Sequence, residues 1–133
     1  MPDAHRHRIR VRYAETDQMG VVHHSSCIPW LEEARIEWLR AHGASYREME
    51  AGGLFMPVVD LQVRYLRSLK FDDEVELLTT VAAPGPTRLA FTTQVQVDGK
   101  RCLEATVTVA AVDRSGRPVR VPSHLVPVPV PVP

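Results

Sequence analysis

The chain has 133 residues, 44% hydrophobic and 24% charged, enough for one domain with a full core and far from the disordered and membrane classes. Its 16 basic side chains balance 16 acidic ones, so no global field draws it to nucleic acid or an anionic membrane. The opening "MPDAHRHRIRVRY" lacks the apolar centre of a signal peptide, and no apolar run approaches the ~20 residues of a membrane span. Cys27 and Cys102 match neither a disulfide framework nor a zinc spacing. The expectation is a protein of the reducing cytoplasm, without membrane insertion, nucleic acid, metal or redox cofactor.

In chain order, "HRIRVRY" alternates Ile9, Val11 and Tyr13 against arginines, the pattern of a half-buried strand. A loop, "YAETDQMGVVHHSS", precedes a change of period. In "SCIPWLEEARIEWLRAHGA", Ile28, Leu31, Ala34, Trp38 and Leu39 form one helical stripe. Ser25 or Ser26 is expected to cap this long helix, with Pro29 in its first turn and Gly43 at its end. "SYREMEAGG" reads as a short second helix, Ser45 and Glu48 being spaced as a capping box.

The remainder reads as strands: "FMPVVDLQVRYL", "DEVELLTTVAA", "RLAFTTQVQV" and "KRCLEATVTVAAVD", with "PVRV" as a possible short last one. "KFDD", "PGPT" and the hairpin pair Asp98-Gly99 separate them. Leu89, Phe91, Thr93, Val95 and Val97 share one face, opposite Ala90, Thr92, Gln94 and Gln96. The fold class is α+β, a long helix wrapped by an antiparallel sheet of about five strands. One helix covers only part of such a sheet, which points to a second copy of the chain. The domain is expected over residues 1–121, followed by an extended Pro/Val-rich tail over 122–133.

The loop at 13–26 carries the candidate chemistry. Asp17 has a bland reading, a turn acid, and a functional one. Beside a helix N-terminus, unpaired N–H groups and the positive dipole end favour a developing oxyanion. A carboxylate facing the same carbonyl attacks it or activates a water. Gly20 suits a positive φ or a close backbone approach. Val21 and Val22 read as a packing wall, and His23 as a loop histidine bonded to backbone. His24, nearer the helix, is placed to orient a water or a thioester. His5-x-His7 and His23-His24-x-x-Cys27 offer imidazole and thiol donors without a dependable metal spacing. Glu32 and Arg35, at i and i+3, read as a surface or packing pair. Arg64, Arg67 and Lys70 make a basic run, and Arg88 opens another strand.

The stretch "YAETDQMGVVHHSSCIPWLEEAR" resembles the signature of hotdog-fold acyl-CoA thioesterases of the 4-hydroxybenzoyl-CoA thioesterase type, including the Tol-Pal-associated bacterial enzymes. Tyr13, Asp17, Gly20, Val21, Val22, His24, Glu32, Ala34 and Arg35 fall in register, and the likeness extends through "YLRSLKFDDEVEL". Glu15 stands where the family usually has Asp, and Ser26-Cys27 where it commonly has Asn-Tyr. The resemblance implies a homodimer or homotetramer with active sites between subunits. It puts the essential carboxylate at Asp17 and a polarising backbone N–H at His24, on the first turn of the helix. The expected reaction is hydrolysis of an acyl-CoA, with an acyl-carrier-protein thioester as a lesser possibility. Tyr13, Gly20, Val21 and Val22 would line the substrate, and Arg88, with Arg64 and Arg67 as weaker candidates, would hold the CoA phosphates. The alternatives are a hydratase or dehydratase on the same fold, and a non-catalytic acyl-CoA binding or partner-docking protein. Thiol release separates hydrolysis from binding, and product identity separates it from hydration.

Overall fold

The computed structural model describes residues 4–127. Five strands form one antiparallel sheet: β1 (His5–Arg10), β2 (Val58–Tyr65), β3 (Glu74–Gly85), β4 (Arg88–Val97) and β5 (Lys100–Ala110). Their spatial order is β1-β3-β4-β5-β2. The long helix α1 (Cys27–Ala41) lies against β1, β3 and β4, and the short helix α2 (Tyr46–Ala51) follows it. This is the helix wrapped by a five-stranded sheet that the hydropathy pattern predicts.

The pleat sorts the strands as expected. Leu89, Phe91, Thr93 and Val95 of β4 are buried beneath α1, with Leu103, Ala105, Val107 and Val109 beside them on β5. Thr92 and Thr106 pair on the opposite, polar face. Asp98 and Gly99 both adopt positive φ, as a two-residue hairpin of this type requires. On β1, Arg6, Arg8 and Arg10 face outward and meet Asp72, Glu74 and Glu76 on and beside β3. Individually such exposed pairs contribute little, but together they place charge along an edge strand, which discourages foreign pairing.

Several expectations need correction. Strand β1 ends at Arg10, so Val11 stays in the core while Tyr13 is 78% exposed on a 3-10 turn (Tyr13–Glu15). On α1 the buried stripe is Cys27, Trp30, Leu31, Ala34, Trp38 and Leu39, and Ile28 points outward. Neither serine caps α1. Ser26 already has helical φ and ψ, so its hydroxyl makes no capping bond, and Ser25 Oγ is occupied by His23. The C-terminal end follows the expected pattern: Gly43 has a φ of +78, and the Gly43 and Ala44 N–H groups donate back to Arg40 and Leu39 carbonyls. Ser45 caps α2 by accepting the Glu48 N–H.

"PVRV" forms no strand. It bridges Val112 at Pro118, and the Val119 and Val121 N–H groups donate to the Ala111 and Pro86 carbonyls at 2.9 Å, but prolines 118 and 122 lack the donors that would extend this into a ladder. The boundary expected after residue 121 falls inside the packed body. Ser123–Leu125 make a 3-10 turn, and Leu125 is 1% exposed within the main core cluster. Burial of that one side chain holds the segment onto the domain. The Pro/Val repeat from residue 128 onward lies outside the described residues.

Candidate active site

The loop between β1 and α1 is a small hairpin. Thr16 and Val22 form a bridge, Asp17 N–H donates to the Val21 carbonyl at 2.8 Å, and Gly20 N–H donates to the Asp17 carbonyl at 3.0 Å. These bonds enclose a three-residue loop whose last position is Gly20, with a φ of +79. A Cβ there would touch nothing within 4 Å, so the glycine serves the backbone angle and not a close approach. Val21 pairs with Lys70, and Val22 N–H donates to the Leu69 carbonyl at 2.7 Å. The hairpin is thereby stitched to the segment joining β2 and β3. Tyr13 packs edge-on against Phe71 at 5.5 Å.

Glu15 anchors the unit from within. It is 7% exposed, and its carboxylate accepts the Trp30 indole N–H at 2.6 Å and the Arg12 backbone N–H at 2.7 Å. Its carbonyl accepts the His23 N–H at 2.9 Å. One buried acid thus ties both arms of the hairpin to α1.

At the start of α1 the chain turns through His23–Ser26, where Ser26 N–H donates to the His23 carbonyl at 2.9 Å. His23 Nδ1 lies 2.8 Å from Ser25 Oγ and accepts the Ser25 N–H, so this ring serves the loop, as its sequence reading expects. The two imidazoles lie 4.1 Å apart between centroids, tilted by 32°. His24 N–H has no acceptor among the described residues. The His24 carbonyl, by contrast, accepts the Tyr65 hydroxyl at 2.5 Å and the Cys27 thiol at 3.2 Å. Burial pushes the Cys27 thiol up, which keeps it a neutral donor and a poor nucleophile. The Tyr65 hydroxyl is pushed up to about 12, by burial first and then by its contact with Cys27.

These groups border a cleft of about 260 Å³. Its floor is apolar, from Val22, Leu69 and Leu103; its rim carries His24, Tyr65 and Arg67, all exposed. Of the residues singled out from sequence, Val22, His24 and Arg67 therefore meet here. Asp17 is exposed on the adjoining hairpin and does not line the cleft. Its Oδ1 accepts the Met19 N–H at 2.8 Å and the Val21 N–H at 3.4 Å, while Oδ2 has no partner among the described residues. Tyr13, Gly20 and Val21 belong to the same hairpin, outside the cleft.

Arg64 lies on the polar face of the sheet, beside Gln62, Gln94 and Glu104. Arg88 borders Val59 and Asp60 at the other end of β2, about 20 Å along the strand from Tyr65. Neither joins the cleft. Tyr65 and Glu15 carry no role in the sequence reading beyond family register, and Cys27 figures there only as a possible metal donor; their partners here lie 3 to 41 positions away. Among the described residues no three His, Cys, Asp or Glu side chains converge as a metal site, and no helix is long and apolar enough to cross a membrane.

Comparison with known proteins places this geometry in a family. Residues 11–128 match the model of the thioesterase-like superfamily. The acyl-CoA thioester hydrolase YbgC of Escherichia coli O157:H7 is 36% identical over 107 residues, covering 79% of each chain. YneP of Bacillus subtilis (strain 168) is 38% identical over 73 residues, 55% of this chain. That match spans only 53% of the Bacillus protein's own length. The DHNA-CoA thioesterase of Staphylococcus aureus superposes with a TM-score of 0.84 at 29% identity, covering 88% of this chain and 80% of that one. A cleft with an apolar floor at the start of the long helix, the five-stranded wrap and these matches agree, and the chain belongs to the thioesterase-like superfamily of hotdog proteins.

Proposed function

We propose that the chain hydrolyses an acyl-CoA to the free acid and CoA, with the acyl group in the cleft and the thioester carbonyl over the His24 N–H. The observation that carries this reading is that amide: a donor unpaired among the described residues, just before a 15-residue helix, in a residue that borders a cleft with an apolar floor. Attack on a thioester moves charge onto its oxygen, and a fixed N–H at the positive end of a helix stabilises that charge. Asp17 supplies the attack through its unpartnered Oδ2. Direct attack forms an acyl–aspartyl anhydride, expels the CoA thiolate and is completed by water. Deprotonation of a water by the same oxygen forms the acid in one displacement, and the thiolate leaves equally. The kinship with YbgC supports an acyl-CoA substrate.

Arg67, on the rim, is the guanidinium best placed for the CoA phosphates, ahead of Arg64 and Arg88. The working form is a homodimer or a larger homo-oligomer. Its support is β2, an edge strand exposing Val58, Val59 and Leu61, continued by Tyr65 and Leu66 at the cleft. A second copy seated there would close the cleft and bring further groups to exposed Asp17. Two buried free thiols fit a reducing cytoplasm.

The test is thiol release from acetyl-, butyryl-, hexanoyl-, decanoyl- and benzoyl-CoA by the purified chain. Turnover of at least one, abolished in Asp17→Asn, is the expected result. Binding of these thioesters without thiol release would instead make the chain an acyl-CoA carrier.

A further inference from the structure

The first turn of α1 is held from outside the helix. Ser26 offers no side-chain cap, and the His24 carbonyl is instead held by the last residue of a remote strand, Tyr65 of β2. The Tyr65 ring is not core packing, since the residue is 54% exposed; its specific contact is the 2.5 Å bond from its hydroxyl. Cys27 Sγ donates to the same oxygen at 3.2 Å and lies 3.6 Å from the hydroxyl.

These bonds bracket one residue. On its N-terminal side, the peptide joining His23 to His24 is oriented by the Ser26 N–H on the His23 carbonyl at 2.9 Å. On its C-terminal side, the next peptide is oriented by Tyr65 and Cys27. Both backbone angles of His24 are therefore fixed, and with them the direction of its unpaired N–H. A thiol is a weak donor, so the phenol carries most of that restraint. Its hydroxyl, held up to about 12, keeps its proton through the range in which proteins work.

We infer that Tyr65 is a positioning residue for the oxyanion donor: its hydroxyl, through the His24 carbonyl, aims the His24 N–H into the cleft. This inference rests on the thioesterase reading of the site. Oxyanion donors act through preorganisation, and misplacing one by about an ångström costs a large part of its effect. Tyr65 thus acts on turnover without being the group that binds the acyl chain.

The test is Tyr65→Phe in the full chain, which keeps the ring and removes only the hydroxyl. Two readouts are taken: NMR amide exchange at Ser25–Ile28, and kcat and KM on the thioester that the wild type hydrolyses fastest among the five above. Exchange at Ser26 and Ile28 should quicken by about twofold to tenfold, the worth of one hydrogen bond. kcat should fall about tenfold, with KM changed less than about twofold. A residue serving only stability would leave kcat of the folded enzyme intact, and a simple pocket wall would move KM instead; either result overturns the inference. Unchanged exchange overturns it too, whatever the kinetics. If the wild type releases thiol from none of the thioesters, the thioesterase reading fails separately. Exchange then decides alone: acceleration retains Tyr65 as the clamp of the His24 turn, and no change removes it.

Discussion

Asp17 offers the sharpest separation of chemistry from architecture, because its two carboxylate oxygens have different surroundings. Oδ1 holds the hairpin loop through one good bond, 2.8 Å from the Met19 N–H, and a marginal one at 3.4 Å from Val21. Both are at the exposed surface, so together they are worth about 0.5–1.5 kcal/mol. Oδ2 has no partner among the described residues, and it is the oxygen the proposed attack would use. Asp17→Ala removes both functions, whereas Asp17→Asn keeps an acceptor for the loop and removes the charge and the nucleophile. The alanine variant should therefore melt a few degrees lower, and the asparagine variant within about 2 °C of wild type. Both should lose at least ~100-fold in kcat, about 2.7 kcal/mol of transition-state stabilisation, with KM little changed. Differential scanning calorimetry and steady-state thiol release on the same preparations give the comparison. Should Asp17→Asn retain a tenth or more of wild-type kcat, Asp17 is a turn residue and the catalytic assignment is wrong.

Glu15→Ala strands the buried Trp30 indole N–H and the Arg12 N–H, so urea unfolding should show a loss of about 2–4 kcal/mol; an unchanged midpoint would deny its anchoring role. Leu125→Ala should cost about 2–5 kcal/mol, and a chain ending at residue 121 should unfold at least as readily, by the same measurement. Arg67→Ala should raise KM for acyl-CoA several-fold, increasingly so at low salt, while Arg88→Ala leaves it within about twofold; the opposite ranking would move the phosphate site to the far end of β2. His5 is held below its usual pKa by burial, then by His7 and His42, with Glu37 opposing. Its folded state thus binds the proton less well than the unfolded chain. Stability from this source is present above the ordinary histidine pKa and lost as pH falls through the lowered one, so His5→Leu should flatten acid unfolding below about pH 6.5.

What the sequence by itself determined is whatever follows from neighbours along the chain. Alternation fixed the buried face of β4, Asp98-Gly99 fixed a hairpin by its need for positive φ, and Gly43 stopped α1. The family signature placed Asp17 and Gly20 on one loop and His24 at the helix start, because those positions are tied by a single local hairpin and turn. The tertiary structure decided what depends on encounters between distant segments. Trp30, and not Ile28, turns inward because a buried carboxylate 15 positions earlier receives its indole N–H. Leu125 belongs to the core although it follows a segment whose prolines allow no ladder, since burial needs only a side chain that reaches a gap. The sequence reading ranked Arg88 ahead of Arg64 and Arg67 for the phosphates; where β2 and β4 lie in the sheet reverses that order, leaving Arg67 at the cleft and Arg64 and Arg88 away from it. Tyr65 reaches His24 across 41 positions for the same reason: sheet order β1-β3-β4-β5-β2 puts the end of β2 beside the start of α1, and no local period encodes that meeting.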